Sequence, residues 1–196
     1  MISSKKKYLE YLEADRIALG KPNNSFFLII QELFKRDLIW IFQRLLRKAE
    51  YYKNVVSKRS VFGKIIYFII KIRLKNLSMK LGFTIPENVF GPGLAIIHYG
   101  TIIINVRTKV GANCRLHACT NIGESGGEPG APVIGNNVYI GPGAKIYGSI
   151  KIADNSVIAA NACVNKSMDE EGMLIAGIPA KVIKPIDVKK IIKHLK

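Results

Sequence analysis

The chain has 196 residues, enough for one domain and an appended piece, and its 48% hydrophobic content allows a sizeable core and excludes global disorder. The formal net charge of +16 is uneven, because residues 1–80 hold 18 of the 30 Lys and Arg side chains but only 6 of the 14 Asp and Glu. Such an excess points to anionic partners (lipid headgroups, charged glycans or nucleic acid) or to a plain solvated helical surface; no nucleic-acid motif accompanies it.

Met1 is followed by Lys5, Lys6 and Lys7 and then by Tyr, Glu and Asp rather than an apolar run, so no signal peptide is expected. Residues 8–19 read as a helix that Gly20-Lys-Pro22 stops, and Asn23-Asn-Ser25 supplies the next cap. A second helical stretch runs from about Phe26 to Tyr52. Phe34, Leu38, Ile41, Phe42 and Leu45 share one face of it, and Asp37, Arg44, Arg47 and Lys48 mostly lie elsewhere. Residues 58–80 form a third helix, on which Phe62, Ile65, Ile66, Ile69 and Ile72 cluster. Lys64, Lys71 and Lys75 lie opposite, and Arg73 interrupts the apolar side. A basic amphipathic helix of this kind packs on a partner helix or subunit, or lies on a membrane surface as a peripheral contact. The apolar run at residues 65–70 is too short to span a bilayer.

From Thr84 the pattern changes to a period of six: Thr84, Phe90, Ile96, Ile102. The frame then slips by two and continues as Ile104, Val110, Leu116, Ile122, which suggests a bulge or widened corner beside Ile102–Ile104. Residues 123–132 are rich in Gly and Pro, lack the aliphatic column, and read as an excursion of the kind that carries function. The column resumes at Ile134, Ile140, Ile146, Ile152, Ile158 and Val164. The residue four after each Ile is small or aliphatic: Val138, Ala144, Ile150, Ser156, Ala162. Gly, Asn and Asp between them tolerate the positive φ that sharp corners need. Neither period 2 nor period 3.6 produces this column; a strict six is the signature of a solenoid of short stacked strands. Cys114, Cys119 and Cys163 are an odd number without metal-ligand spacing, so they read as reduced thiols of a cytoplasmic protein with no metal site.

The repeat resembles that of the hexapeptide-repeat acyltransferases. The resemblance implies triangular coils of three hexapeptides wound left-handed, hence a left-handed parallel β-helix after an N-terminal α-helical domain. The implied divisions are residues 1–82, 83–184 and a basic helical tail at 185–196. It also implies homotrimers, with coenzyme A between adjacent subunits; helical N-termini could pair trimers into a dimer of trimers.

Gly91-Pro-Gly-Leu-Ala-Ile-Ile-His-Tyr-Gly-Thr-Ile-Ile-Ile is similar to the active-site coil of serine acetyltransferases and related sugar O-acetyltransferases. The resemblance makes His98 the general base for acetyl transfer from acetyl-CoA, since a neutral imidazole can take the proton of an acceptor hydroxyl. Ala176-Gly-Ile-Pro-Ala-Lys-Val-Ile-Lys184 resembles the segment that closes the last coil. Positions matching coenzyme A contacts are Pro142, Ala160, Asn165, Lys166, Lys181 and Lys184.

The chain also departs from the serine acetyltransferases. Ile97 stands where they have Asp, and the loop lacks the Arg and second His that help to hold serine. A serine carboxylate then loses its obvious cationic partner. The expected acceptor is therefore a sugar hydroxyl, in surface-polysaccharide synthesis at the cytoplasmic side. Serine O-acetylation and a silent β-helix scaffold are the alternatives. Glu124 or Glu128 of the loop, or a backbone carbonyl, could orient His98. With three hexapeptides per coil, His117 falls below Ile97, near enough to His98 to orient the acceptor or to be a bystander. His194 is expected to face solvent.

Overall fold

The computed structural model describes residues 1–22, 37–127 and 129–195. Three helices precede the repeat: α1 (Lys5–Ala18), α2 (Leu38–Tyr51) and α3 (Val61–Leu81). Each starts where a side-chain oxygen satisfies a free backbone N–H of the first turn. Ser4 accepts from Lys7 N, Asp37 from Ile39 N and Trp40 N, and Ser60 from Gly63 N. Gly82 ends α3 at φ 77°, a conformation that costs glycine little. Among the described residues no helix is long and apolar enough to cross a membrane.

The second helix differs from its sequence reading. The expected cap at 23–25 and the stretch 26–36, with Phe34, lie outside the described residues, and α2 starts afresh from Asp37. Its buried apolar face is Ile39, Phe42, Leu46 and Ala49, rotated from the predicted stripe, and Ile41 is 41% exposed. Arg47, expected away from the packing face, is fully buried. A salt-bridged, hydrogen-bonded guanidinium is one of the few charges a core accepts. All five of its N–H groups are used: Nε and Nη2 donate to Asp15 of α1, Nη1 to Glu50, and Nη1 and Nη2 to the Phe90 and Gly91 carbonyls. Asp15 Oδ1 in turn accepts from Gly93 N and Leu94 N.

The rest is a triangular prism of short parallel strands. Sheet I holds β1 (Phe83–Thr84), β3 (Ile102–Ile104), β6 (Asn121–Gly123), β9 (Lys145–Tyr147) and β12 (Cys163–Val164). Sheet II holds β4 (Lys109–Val110), β7 (Val133–Ile134) and β10 (Lys151–Ile152). Sheet III holds β2 (Ala95–Ile96), β5 (Arg115–Leu116), β8 (Tyr139–Ile140), β11 (Val157–Ile158), β13 (Met173–Gly177) and β14 (Ala180–Pro185). The chain visits I, II and III in turn, and Tyr139 pairs with Val157 one 18-residue coil later. The period-six column points inward throughout, from Phe90 to Val164. Thr84 is the exception: it is exposed, and its neighbour Phe83 faces in, because Phe83 pairs with Ile102 and Thr84 with Ile103.

The frame slip is a widened corner. Ala95 pairs with Arg115, 20 residues on, whereas Ile103 pairs with Asn121, 18 on. The two extra residues fall in 97–101, between β2 and β3, the segment that carries His98. The corner between β6 and β7 is the expected excursion over 124–132, whereas the corners joining sheet II to sheet III are tight. Asn113, Asn137 and Asn155 take positive φ, and their side chains form a ladder with two 2.9 Å hydrogen bonds.

The open top of the prism is capped by α2. Gln43 Nε2 donates to Leu94 O and Gln43 Oε1 accepts from Ile96 N. One side-chain amide thus makes the bonds that a further strand would make to β2, whose edge is otherwise open. At the other end β13 and β14 form an antiparallel hairpin, the segment expected to cover the last coil. The tail is two 3₁₀ turns, Val188–Lys190 and Lys193–Leu195, rather than an α-helix. Val188 and Ile192 bury themselves against Val157 on the outer side of sheet III.

Candidate active site

Counting coils places the candidate residues on the prism's edges. At the edge joining sheet III to sheet I the chain passes through 97–101, 117–120, 141–144 and 159–162 in successive coils. His98, His117, Pro142 and Ala160 therefore lie on one line. Main-chain bonds tie the steps together: Ile97 N to Leu116 O at 3.0 Å, Gly143 N to Ala118 O at 3.0 Å and Asn161 N to Pro142 O at 2.9 Å.

His98 is exposed, and its ring lies 6.0 Å from that of His117, centroid to centroid. His117 is half-buried, packs on Tyr139 at 5.0 Å, and has a buried Nε2 without a hydrogen-bond partner among the described residues. Burial, then the charge of Arg115, then His98 push its pKa down to about 4. His117 is thus neutral near pH 7, and His98 has an uncharged imidazole as its neighbour. Behind them Thr120 Oγ1 donates to His117 O, and Lys145 Nζ to Cys119 O, which fixes the corner.

The remaining candidates lie elsewhere. Glu124 leaves β6 at the opposite end of sheet I, on the edge joining sheets I and II, where it pairs with Arg107 at 3.0 Å. Within one chain it does not reach His98, because the whole width of the sheet separates them. Glu128 lies outside the described residues. Asn165 and Lys166 follow β12 on that same second edge and are exposed. Lys181 and Lys184 are exposed on β14, opposite Ala176 and Leu174.

Two contributors, Arg115 and Gln43, were not singled out from sequence, and a third residue, His194, is placed differently from its expectation. Arg115 directly precedes the inward Leu116, so the period already places it on the outer face beside His117. Gln43 holds the strand that leads to His98, and no local pattern marks it. His194 is half-buried rather than solvent-facing, because the tail folds back on sheet III; burial and Arg115 lower its pKa. Among the described residues no His, Cys, Asp and Glu group could hold a metal ion. Two hollows of about 350 and 280 Å³ lie at the helical cap and not at His98.

The coil architecture defines a hexapeptide-repeat β-helix, and residues 131–166 match the model of the bacterial transferase hexapeptide (six repeats). More particularly, the chain is similar to serine acetyltransferases. It is 35% identical over 100 residues to that of Mycobacterium tuberculosis, covering 50% of this chain and 43% of the relative. It is 34% identical over 106 residues to that of Staphylococcus aureus, covering 53% and 49%. The chain thus spans less than half the length of these relatives. The serine acetyltransferase of Brucella abortus in complex with coenzyme A superposes with a TM-score of 0.68 at 24% identity, over 93% of this chain and 70% of that one. That of Neisseria gonorrhoeae gives 0.70 at 21% identity, over 93% and 68%. These likenesses establish the fold, a helical N-terminal part followed by a left-handed parallel β-helix.

Proposed function

We propose that the protein transfers an acetyl group from acetyl-CoA to the hydroxyl of a small acceptor, with His98 as general base. The observation that carries this reading is the line of His98, His117, Pro142 and Ala160 along one edge. At about 4.8 Å per coil it extends roughly 14 Å, a track along which an extended thioester arm can lie. His98 takes the hydroxyl proton, and the acceptor oxygen attacks the thioester carbonyl. The tetrahedral intermediate collapses with cleavage of the C–S bond, and the departing thiolate takes the proton back from the imidazolium. Backbone N–H groups at the corner stabilise the oxyanion, and no covalent enzyme intermediate is needed.

L-Serine is the acceptor that the relatives' names favour. Its carboxylate needs a cation, and Arg115 supplies one close enough to His117 to lower that residue's pKa. The loop's lack of Arg and His, and Ile97 in place of Asp, favour a second reading, a neutral sugar hydroxyl of a surface polysaccharide. We place the protein in the cytoplasm, where acetyl-CoA is made and used.

The candidates occupy two edges, with His98, Pro142 and Ala160 on one and Asn165 and Lys166 on the other. A homotrimer that sets one copy's first edge against the next copy's second would unite them. The test is thiol release from acetyl-CoA with L-serine, sugars and nucleotide sugars side by side. His98→Ala should lower turnover about 10²–10⁴-fold with circular dichroism and assembly size unchanged. Full activity in that variant would overturn the base assignment. Silence of the wild type with every acceptor, together with no coenzyme A binding by calorimetry, would leave the scaffold reading.

A further inference from the structure

Helix α3 is apolar on two sides. One side, with Ile70, Leu74 and Leu81, is buried against α2 and the first coil. The other is solvent-exposed. Val61, Ile65, Phe68, Ile72 and Met79 follow one another at helical spacing along a stripe, with Phe62 and Ile69 at its side. Phe62 is 71% and Phe68 66% exposed. An exposed stripe of this length is a contact surface for something.

Its charge says for what. Lys64, Lys71 and Lys75 border the stripe on one side, Arg73 and Lys80 on the other, all of them exposed. Lys58 and Arg59 precede the helix, and Val61–Leu81 contains no Asp or Glu. Of the acids described nearby, Asp15 and Glu50 pair with Arg47, and Glu87 pairs with Lys53 and with Lys71, which leaves Lys64, Lys75, Arg73 and Lys80 as the border cations that none of these acids neutralises. A second copy would bring an equally basic face against this one. An anionic bilayer surface supplies both an apolar layer for the stripe and counter-charge for its borders. We infer that α3 docks the protein on anionic membrane surfaces, lying in the interface without crossing it.

The placement has a consequence for the candidate site. Gly100 N donates to Leu81 O and Ile102 N to Gly82 O, so the end of α3 is bonded to the corner that carries His98. A docked α3 fixes the orientation of that edge relative to the membrane. Docking itself does not depend on the acetyl-transfer reading.

The test is co-sedimentation of the full chain with phosphatidylcholine vesicles, with and without phosphatidylglycerol, at low and high salt. Binding should require the anionic lipid and weaken with salt. Lys64→Glu/Lys75→Glu should lower partitioning by about tenfold or more. Ile65→Ser/Phe68→Ser, which alters exposed side chains only, should do the same. Lys189→Glu/Lys190→Glu, an equal charge change in the tail, should leave partitioning near wild type. No binding at low salt would overturn the inference, as would binding that survives both α3 variants or is lost with the tail variant. A fall in assembly size for Ile65→Ser/Phe68→Ser by light scattering would instead give the stripe to a second copy.

Discussion

Burial, Arg115 and His98 together hold the pKa of His117 near 4, well below the 6.5 of an exposed imidazole. Between those values the unfolded chain binds a proton that the folded chain refuses. Stability from this group is complete above about pH 6.5 and is lost as pH falls toward 4. His194 shifts in the same direction. The melting temperature should therefore drop between pH 6.5 and the onset of carboxylate titration, and His117→Asn should flatten that slope. An unchanged slope in the variant would remove His117 as the cause. Gly141 makes a different residue-scale case. A Cβ there would stand 2.7 Å from Ala160 N, so the coils meet backbone to backbone at the edge where an acyl donor is proposed to lie. Gly141→Ala should cost about 1–3 kcal/mol in urea unfolding; a wild-type midpoint would show that the coils can part freely.

At the scale of elements, α1 and α2 are held to the first coil by polar groups as well as by packing. Arg47 is buried between Asp15 and Glu50. Burial alone would lower its pKa, and the two carboxylates more than reverse that, so it stays charged. Arg47→Met leaves both carboxylates buried without their cation and two carbonyls without a donor. The expected loss is about 3–5 kcal/mol, read as a lower urea midpoint. Replacing Glu50 by Gln as well should recover part of it. If Arg47→Met alone is neutral, water reaches the cluster and the helices are held by apolar contacts. Gln43 does related work nearby, closing the edge of β2 that leads to His98.

At the scale of the molecule, the prism separates residues that an active site would need together. One edge carries His98, Pro142 and Ala160; the other carries Arg107, Glu124, Asn165 and Lys166. If the site forms between copies, each site draws His98 from one chain and Lys166 from its neighbour. His98→Ala and Lys166→Glu should each lose most activity. Trimers reassembled from an equal mixture should recover about a quarter of it, since each interface draws its two sides at random. No recovery would place both residues in a site within one chain.

The sequence by itself determined the solenoid, the inward column and the widened corner. Each side of a coil offers the same inward positions, the aliphatic column and the small residue four after it, and a period of six reports them without reference to distant residues. It also placed His117 beside His98, because stacking one coil on the next is arithmetic on that period. The tertiary structure alone decided what depends on partners far along the chain. Arg47 lies inside because Asp15, 32 residues earlier, and the carbonyls of Phe90 and Gly91 meet it there. Glu124 belongs to Arg107 because β3 and β6 stack and bring their far ends together. His194 is drawn in because Val188 and Ile192 find an apolar seat on sheet III. Periodicity tells which way a side chain points; only the assembled coils set which groups then meet.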